Sequence, residues 1–183
     1  MARALIFFAD GLEECEGLIV VDILRRAGVE VDIAAVGDGD RVTSSHGVTI
    51  LCDVRASEAD AASYDAVVLP GGLGGVRSIL GCKAAMDAVG QAYDDGKFVA
   101  AICAGPTILA QLHITDGKTA TCYPGCEAQM GSAKCVGADV ARDGKIITGR
   151  AAGAALDFGL ELLKALRGEE AAREIAGAIV YER

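Results

Sequence analysis

The chain has 183 residues, 52% of them hydrophobic, with 24 glycines and three prolines; this suits one compact α/β core and not a disordered chain. A formal net charge of -9 argues against nucleic acid or an anionic membrane as a partner. No apolar run reaches the roughly 18 residues of a membrane span.

Apolar runs of strand length alternate with helical patterns along the chain. The opening run, Ala4 to Phe8, breaks at Asp10-Gly11; it is too short for a signal peptide and reads as a first strand. Glu14 to Arg26 reads as a helix stopped by Gly28. Strands are expected at Glu30–Ala35, Val48–Leu51 and Ala66–Leu69, the last followed by Pro70-Gly71-Gly72. A helix over Lys83–Asp95 leads to a strand over Phe98–Ile102, and a further helix is expected to start at Ala104. Lys145–Thr148 reads as a late strand and Ala154–Leu166 as a helix. Continuous apolar strands alternating with helices predict a mainly parallel sheet covered on both faces, in one domain over residues 1–183.

Ligands of such sheets bind outside the carboxyl ends of the strands. Three loops there carry chemistry-bearing residues: Asp10 to Glu16, Pro70 to Gly75, and Cys103-Ala104-Gly105-Pro106. Phe98 to Pro106 reads as a buried strand ending abruptly at a cysteine among small residues, which is how a nucleophile elbow presents its side chain. Cys103 is therefore the candidate nucleophile. The amides of Gly72 and Ala104 are placed to form an oxyanion hole. A carboxylate of the first loop, at position 13, 14 or 16, would supply acid–base chemistry, although a solvated helix start also accounts for an acidic run.

These segments carry a family resemblance. Glu13-Glu14-Cys15-Glu16, Val21 to Gly28, Val67-Val68-Leu69-Pro70-Gly71-Gly72, Ala101-Ile102-Cys103-Ala104-Gly105-Pro106 and Ile147-Thr148-Gly149-Arg150 resemble, in order, the ThiJ/PfpI superfamily. The branch is that of the Parkinson-associated protein deglycase and bacterial ThiJ-like proteins. The resemblance implies a flavodoxin-like three-layer α/β/α sandwich and a homodimer. It makes Cys103 the reactive, oxidation-sensitive cysteine and Glu16 its protonated carboxylate partner, with oxyanion amides at Gly72 and Ala104. Gly71, Tyr123, Pro124 and Arg150 would line the substrate pocket. The implied activity is a cofactor-independent, metal-free glyoxalase or deglycase acting on an aldehyde or dicarbonyl such as methylglyoxal. Redox sensing and chaperone activity, signalled by oxidation of Cys103 under oxidative stress, is the alternative.

One position departs from the family. Tyr123, before Pro124, stands where the animal branch has a histidine, and a neutral tyrosine is a poor base at pH 7; the base role then falls on Glu16. The only histidines, His46 and His113, are not followed two residues later by Glu, which weakens an amidotransferase or cysteine peptidase reading. His46 reads as a surface or interface residue and His113 as a favourable charge after a helix end. The seven cysteines are odd in number and lack framework or zinc spacing, predicting free thiols in a reducing cytoplasm. Cys122 or Cys126 is a candidate resolving thiol beside the pocket. Arg25, Arg26 and Arg150 are a candidate anion-binding set.

Overall fold

The computed structural model describes residues 1–182. The first half of the chain runs β1 (Arg3–Ala9), α1 (Glu14–Arg26), β2 (Glu30–Val36), β3 (Arg41–Thr43), β4 (Thr49–Leu51), β5 (Val54–Arg55), β6 (Ala66–Leu69), α2 (Leu73–Leu80) and α3 (Lys83–Asp94). The second half runs β7 (Phe98–Ile102), α4 (Pro106–Gln111), β8 (Thr119–Ala120), β9 (Lys134–Cys135), β10 (Val140–Asp143), β11 (Ile146–Gly149), α5 (Ala155–Arg167) and α6 (Glu169–Ala178).

Seven strands form one sheet in the order β10-β11-β7-β6-β1-β2-β5. Every neighbouring pair is parallel except β10–β11. Successive side chains of a strand point to opposite faces, and here both faces are covered. Ala4, Ile6 and Phe8 of β1 share one apolar layer with Val20 of α1, Phe158 of α5 and Ile175 of α6. Leu5, Phe7 and Ala9 share the other with Val76 of α2, Val89 of α3 and Ile108 of α4. This two-sided burial is why β1, β6 and β7 read as unbroken apolar runs. The result is the expected three-layer, flavodoxin-like sandwich.

Local chemistry sets the helix ends. Glu13 caps α1, its carboxylate accepting from the Cys15 N–H at 3.4 Å. Gly28, at φ +70°, ends α1 in the left-handed conformation that glycine adopts without strain. Gly17 lets α1 settle on the sheet: a Cβ there would lie 2.5 Å from the Phe8 ring.

Several elements differ from the sequence reading. The Val48–Leu51 segment is β4 of a two-stranded hairpin with β3, outside the main sheet. The helix after Cys103 starts at Pro106 and spans only six residues, so Ala104 and Gly105 form a turn. Proline, which lacks an N–H and has φ preset, is favoured at a first helical position and marks the later start. Two helices have no counterpart in the periodicity reading, α2 and α6. α2 begins Leu-Gly-Gly, a weak helix former; Val76 and Ile79 hold it by burial.

Candidate active site

The three loops leave the carboxyl ends of β1, β6 and β7, which are adjacent in the sheet. The chain goes from β1 to β2 on one side and returns to β6 on the other, so the loops meet at the point where the strand order reverses. The Glu13 N–H donates to the Gly71 carbonyl at 3.1 Å, tying the first loop to the second. The Cys103 N–H donates to the Gly149 carbonyl at 2.9 Å and the Tyr123 N–H to the Cys103 carbonyl at 2.8 Å.

Cys103 sits at φ +65°, a left-handed conformation that costs a non-glycine residue about 1–2 kcal/mol. The hydrogen bonds on both sides of its peptide hold it there. The conformation turns the half-buried thiol toward Glu16. Neighbouring glycines make room: a Cβ on Gly105 would lie 2.6 Å from the Leu69 carbonyl oxygen. On Gly71 it would lie 2.5 Å from Glu16 Oε2 and 2.6 Å from Cys103 Cβ. Gly72, at φ +84°, would place a Cβ 2.5 Å from both the Glu13 nitrogen and the Gly11 carbonyl oxygen.

Glu16 stands in the first turn of α1, as Glu14 does, yet it is 1% exposed. Its Oε2 accepts from the Gly71 N–H at 2.8 Å. The Cys103 thiol and the Ala152 backbone are its other partners. Burial raises the carboxyl to about 7, against the lowering effect of these hydrogen bonds. Burial also pushes the Cys103 thiol up to about 12, reinforced by the charge of Glu16. The Gly72 and Ala104 backbone N–H groups oppose this by hydrogen-bonding the sulfur.

An unassisted low-pKa thiolate is therefore not what the environment provides. Two anions side by side in a buried site repel, so the pair keeps one proton between about 7 and about 12. With that proton on Glu16, the sulfur is an anion held by two amides and a carboxylic acid. With the proton on sulfur, the amides lose an anionic acceptor. The turn at Ala104-Gly105 leaves these individual amides, and not a helix dipole beginning at Ala104, as the groups that favour the thiolate form.

The remaining sequence-derived candidates fall in different places. Tyr123 is half-exposed, with its backbone against Cys103. Arg150 donates through Nη1 to the Gly137 carbonyl at 3.1 Å and lines a small cavity with Cys122, Glu127 and Cys135. The three arginines do not form an anion-binding set. Arg25 is committed to Asp53 at 2.7 Å and Arg26 to Asp22 at 2.7 Å, because each finds a carboxylate nearer than a shared centre. Cys122 and Cys126 pack in the apolar layer of α2, α3 and α4, whereas Cys103 packs against the opposite layer. His113 pairs with Asp116 at 3.0 Å after the end of α4.

Two features were not read from the sequence. Ala152 supplies a backbone contact to Glu16 from the turn after β11; its only sequence signal is the small-residue run Ala151-Ala152-Gly153-Ala154. His46 lies on the turn of the β3–β4 hairpin, with Nδ1 2.9 Å from Glu14 Oε1 and 3.6 Å from Glu13 Oε2. Among the described residues this trio is the one group of carboxylates and imidazole close enough to share a cation. The imidazole already serves as the counter-charge: its pKa is raised by the hydrogen bond to Glu14.

Comparison with known proteins agrees with this architecture. The Drosophila melanogaster protein dj-1beta is 37% identical over 179 residues, covering 97% of this chain and 96% of its own. A protein of Pyrococcus abyssi named as a deglycase is 34% identical over 167 residues, 90% of this chain and 99% of its own. The structure of oxidized Toxoplasma gondii DJ-1 superposes with a TM-score of 0.95 at 32% identity, with both chains fully covered. The model of the DJ-1/PfpI family matches residues 2–165, and the chain belongs to that family.

Proposed function

We propose that the protein is a cofactor-independent glyoxalase or deglycase-type enzyme acting on methylglyoxal and related dicarbonyls. The observation that carries this reading is the strained Cys103, held against a buried carboxyl that keeps its proton near neutrality. Kinship with a protein named as a deglycase supports the reaction class. The Cys103 thiolate attacks the aldehyde carbon, and the Gly72 and Ala104 N–H groups hold the resulting oxyanion. Protonation of that oxygen gives a hemithioacetal. Glu16, then ionised, removes the proton from the former aldehyde carbon and returns one to the adjacent carbonyl carbon, while the hydroxyl proton passes to the former ketone oxygen. The product is a lactoyl thioester, which water hydrolyses to lactate and free Cys103. Water and methylglyoxal thus give lactate with no external oxidant or reductant.

The test is lactate formation from methylglyoxal by freshly reduced protein, with Cys103→Ala and Glu16→Gln as controls. The proposal requires turnover in wild type that both variants lose. Wild-type turnover no greater than that of free thiols overturns it.

A second reading, a redox-responsive chaperone whose signal is Cys103 oxidation, draws on the partial exposure of Cys103 beside a hydrogen-bond donor that would hold an oxidised sulfur. Stoichiometric Cys103 oxidation without turnover would favour it. A peptidase or amidase is disfavoured because both histidines are engaged with carboxylates, His46 with Glu14 and His113 with Asp116. We also propose a homodimer in the cytoplasm; the exposed apolar Leu18, Val48 and Leu51 are side chains that a partner subunit would cover. No helix among the described residues is long and apolar enough to cross a membrane.

A further inference from the structure

A second sulfur centre lies outside the Cys103 site. β8 and β9 run parallel, with Ala120 opposite Cys135. Cys122 is two residues beyond Ala120, just past the end of β8. After burial, the neighbouring Cys135 thiol is the main influence that pushes the Cys122 thiol up. Both face a cavity of about 100 Å³ that Glu127, Val136, Gly137 and Arg150 complete.

The partners differ in a way that suits sequential oxidation. Cys135 is exposed, so a small oxidant reaches it directly. Cys122 is 5% exposed, so a dissolved oxidant meets Cys135 first. A thiol held in contact with a sulfur that has just been oxidised attacks it faster than solvent or a second oxidant does.

We propose that Cys122 and Cys135 are an oxidisable dithiol, which hydroperoxides convert to a disulfide independently of Cys103. The Cys135 thiolate attacks the peroxide, the O–O bond breaks, and sulfenic acid and an alcohol (or water) form. The Cys122 thiol then attacks that sulfur, the S–O bond breaks, and water leaves with the Cys122 proton. One peroxide is reduced by two electrons and two thiols are oxidised to one disulfide. A disulfide requires the two sulfurs to close to about 2.0 Å. β9, two residues long and exposed, is the element that would move.

The pair is one residue removed from the candidate active site, because Tyr123 follows Cys122 and donates its N–H to the Cys103 carbonyl. A disulfide would tether this loop to β9, and would deny Cys122 to Cys103 as a resolving thiol.

The test is hydrogen peroxide treatment of reduced wild type and of Cys103→Ala, followed by thiol titration and non-reducing peptide mapping. The expected result is a Cys122–Cys135 cross-link within one chain in both proteins, with Cys103→Ala losing two thiols per chain. Cys135→Ser, an exposed substitution, should abolish the cross-link and leave Cys122 reduced. Wild type in which Cys103 is oxidised while Cys122 and Cys135 stay free thiols would overturn the proposal. So would a map linking Cys122 to Cys103 or Cys126 instead. The wild-type map decides the matter even where Cys103→Ala folds poorly.

Discussion

Replacing Glu16 by Gln tests the electrostatics of the site without depending on any substrate. The folded chain holds its carboxyl at about 7 because of burial, whereas an unfolded glutamate titrates near about 4.3. Between those values the native state binds a proton that the unfolded state has released. Stability therefore falls as pH rises through that window and levels off above about 7. The gap corresponds to roughly 3–4 kcal/mol at full extent. Glutamine keeps an oxygen for the Gly71 N–H and an NH₂ for the Cys103 sulfur, but cannot ionise. The variant should lie close to wild type at pH 5 and exceed it at pH 8. For a domain of this size the difference at pH 8 is about 6–16 °C in Tm. Thermal melts of both proteins at pH 5, 6, 7 and 8 measure it. A gap that does not change with pH, or a variant less stable than wild type at pH 8, refutes the buried, raised carboxyl.

Other consequences follow from the same geometry. Gly71→Ala puts a methyl group within 2.6 Å of both Glu16 Oε2 and Cys103 Cβ; displacing the pair should lower kcat/KM for methylglyoxal by about 10²-fold, measured by lactate formation. Cys103→Gly should be more stable than Cys103→Ala by about 1 kcal/mol in denaturant melts, because glycine adopts φ +65° without strain; equal stabilities would mean that the turn is not strained. Methylglyoxal turnover should fall as pH drops through about 7, because the pair then becomes fully protonated and no thiolate remains; a flat profile between pH 6 and 8 contradicts the shared proton. His46 should titrate above the ordinary imidazole value by NMR, and Glu14→Gln should move it back down, since the hydrogen bond to Glu14 is the main cause of the rise.

The strands that carry the site were legible because both of their faces are buried. Such a strand must be apolar at every position, and the sequence of β1, β6 and β7 states that directly. The elbow at Cys103 was legible for a related reason. A buried strand that must turn sharply and expose one side chain needs small neighbours, and here the apolar run stops at cysteine among alanine and glycine. α2 was not legible, since Leu73-Gly74-Gly75 has poor helix propensity and the helix exists only because Val76 and Ile79 reach the core. Glu16 is the sharper case. Periodicity makes it one of three acidic residues at a helix start, where exposure is the ordinary outcome, and only the family resemblance singled it out.

The amino-acid sequence by itself determined the layered α/β plan, the three loops and the cysteine, because hydrophobic period and small-residue punctuation act locally. Which of three carboxylates is buried, how it shares a proton with Cys103, and where Cys122 meets Cys135 were decided by tertiary structure. Burial and charge are properties of neighbours brought together across the chain: Glu16 meets Gly71 from 55 residues away, and no local pattern records that distance.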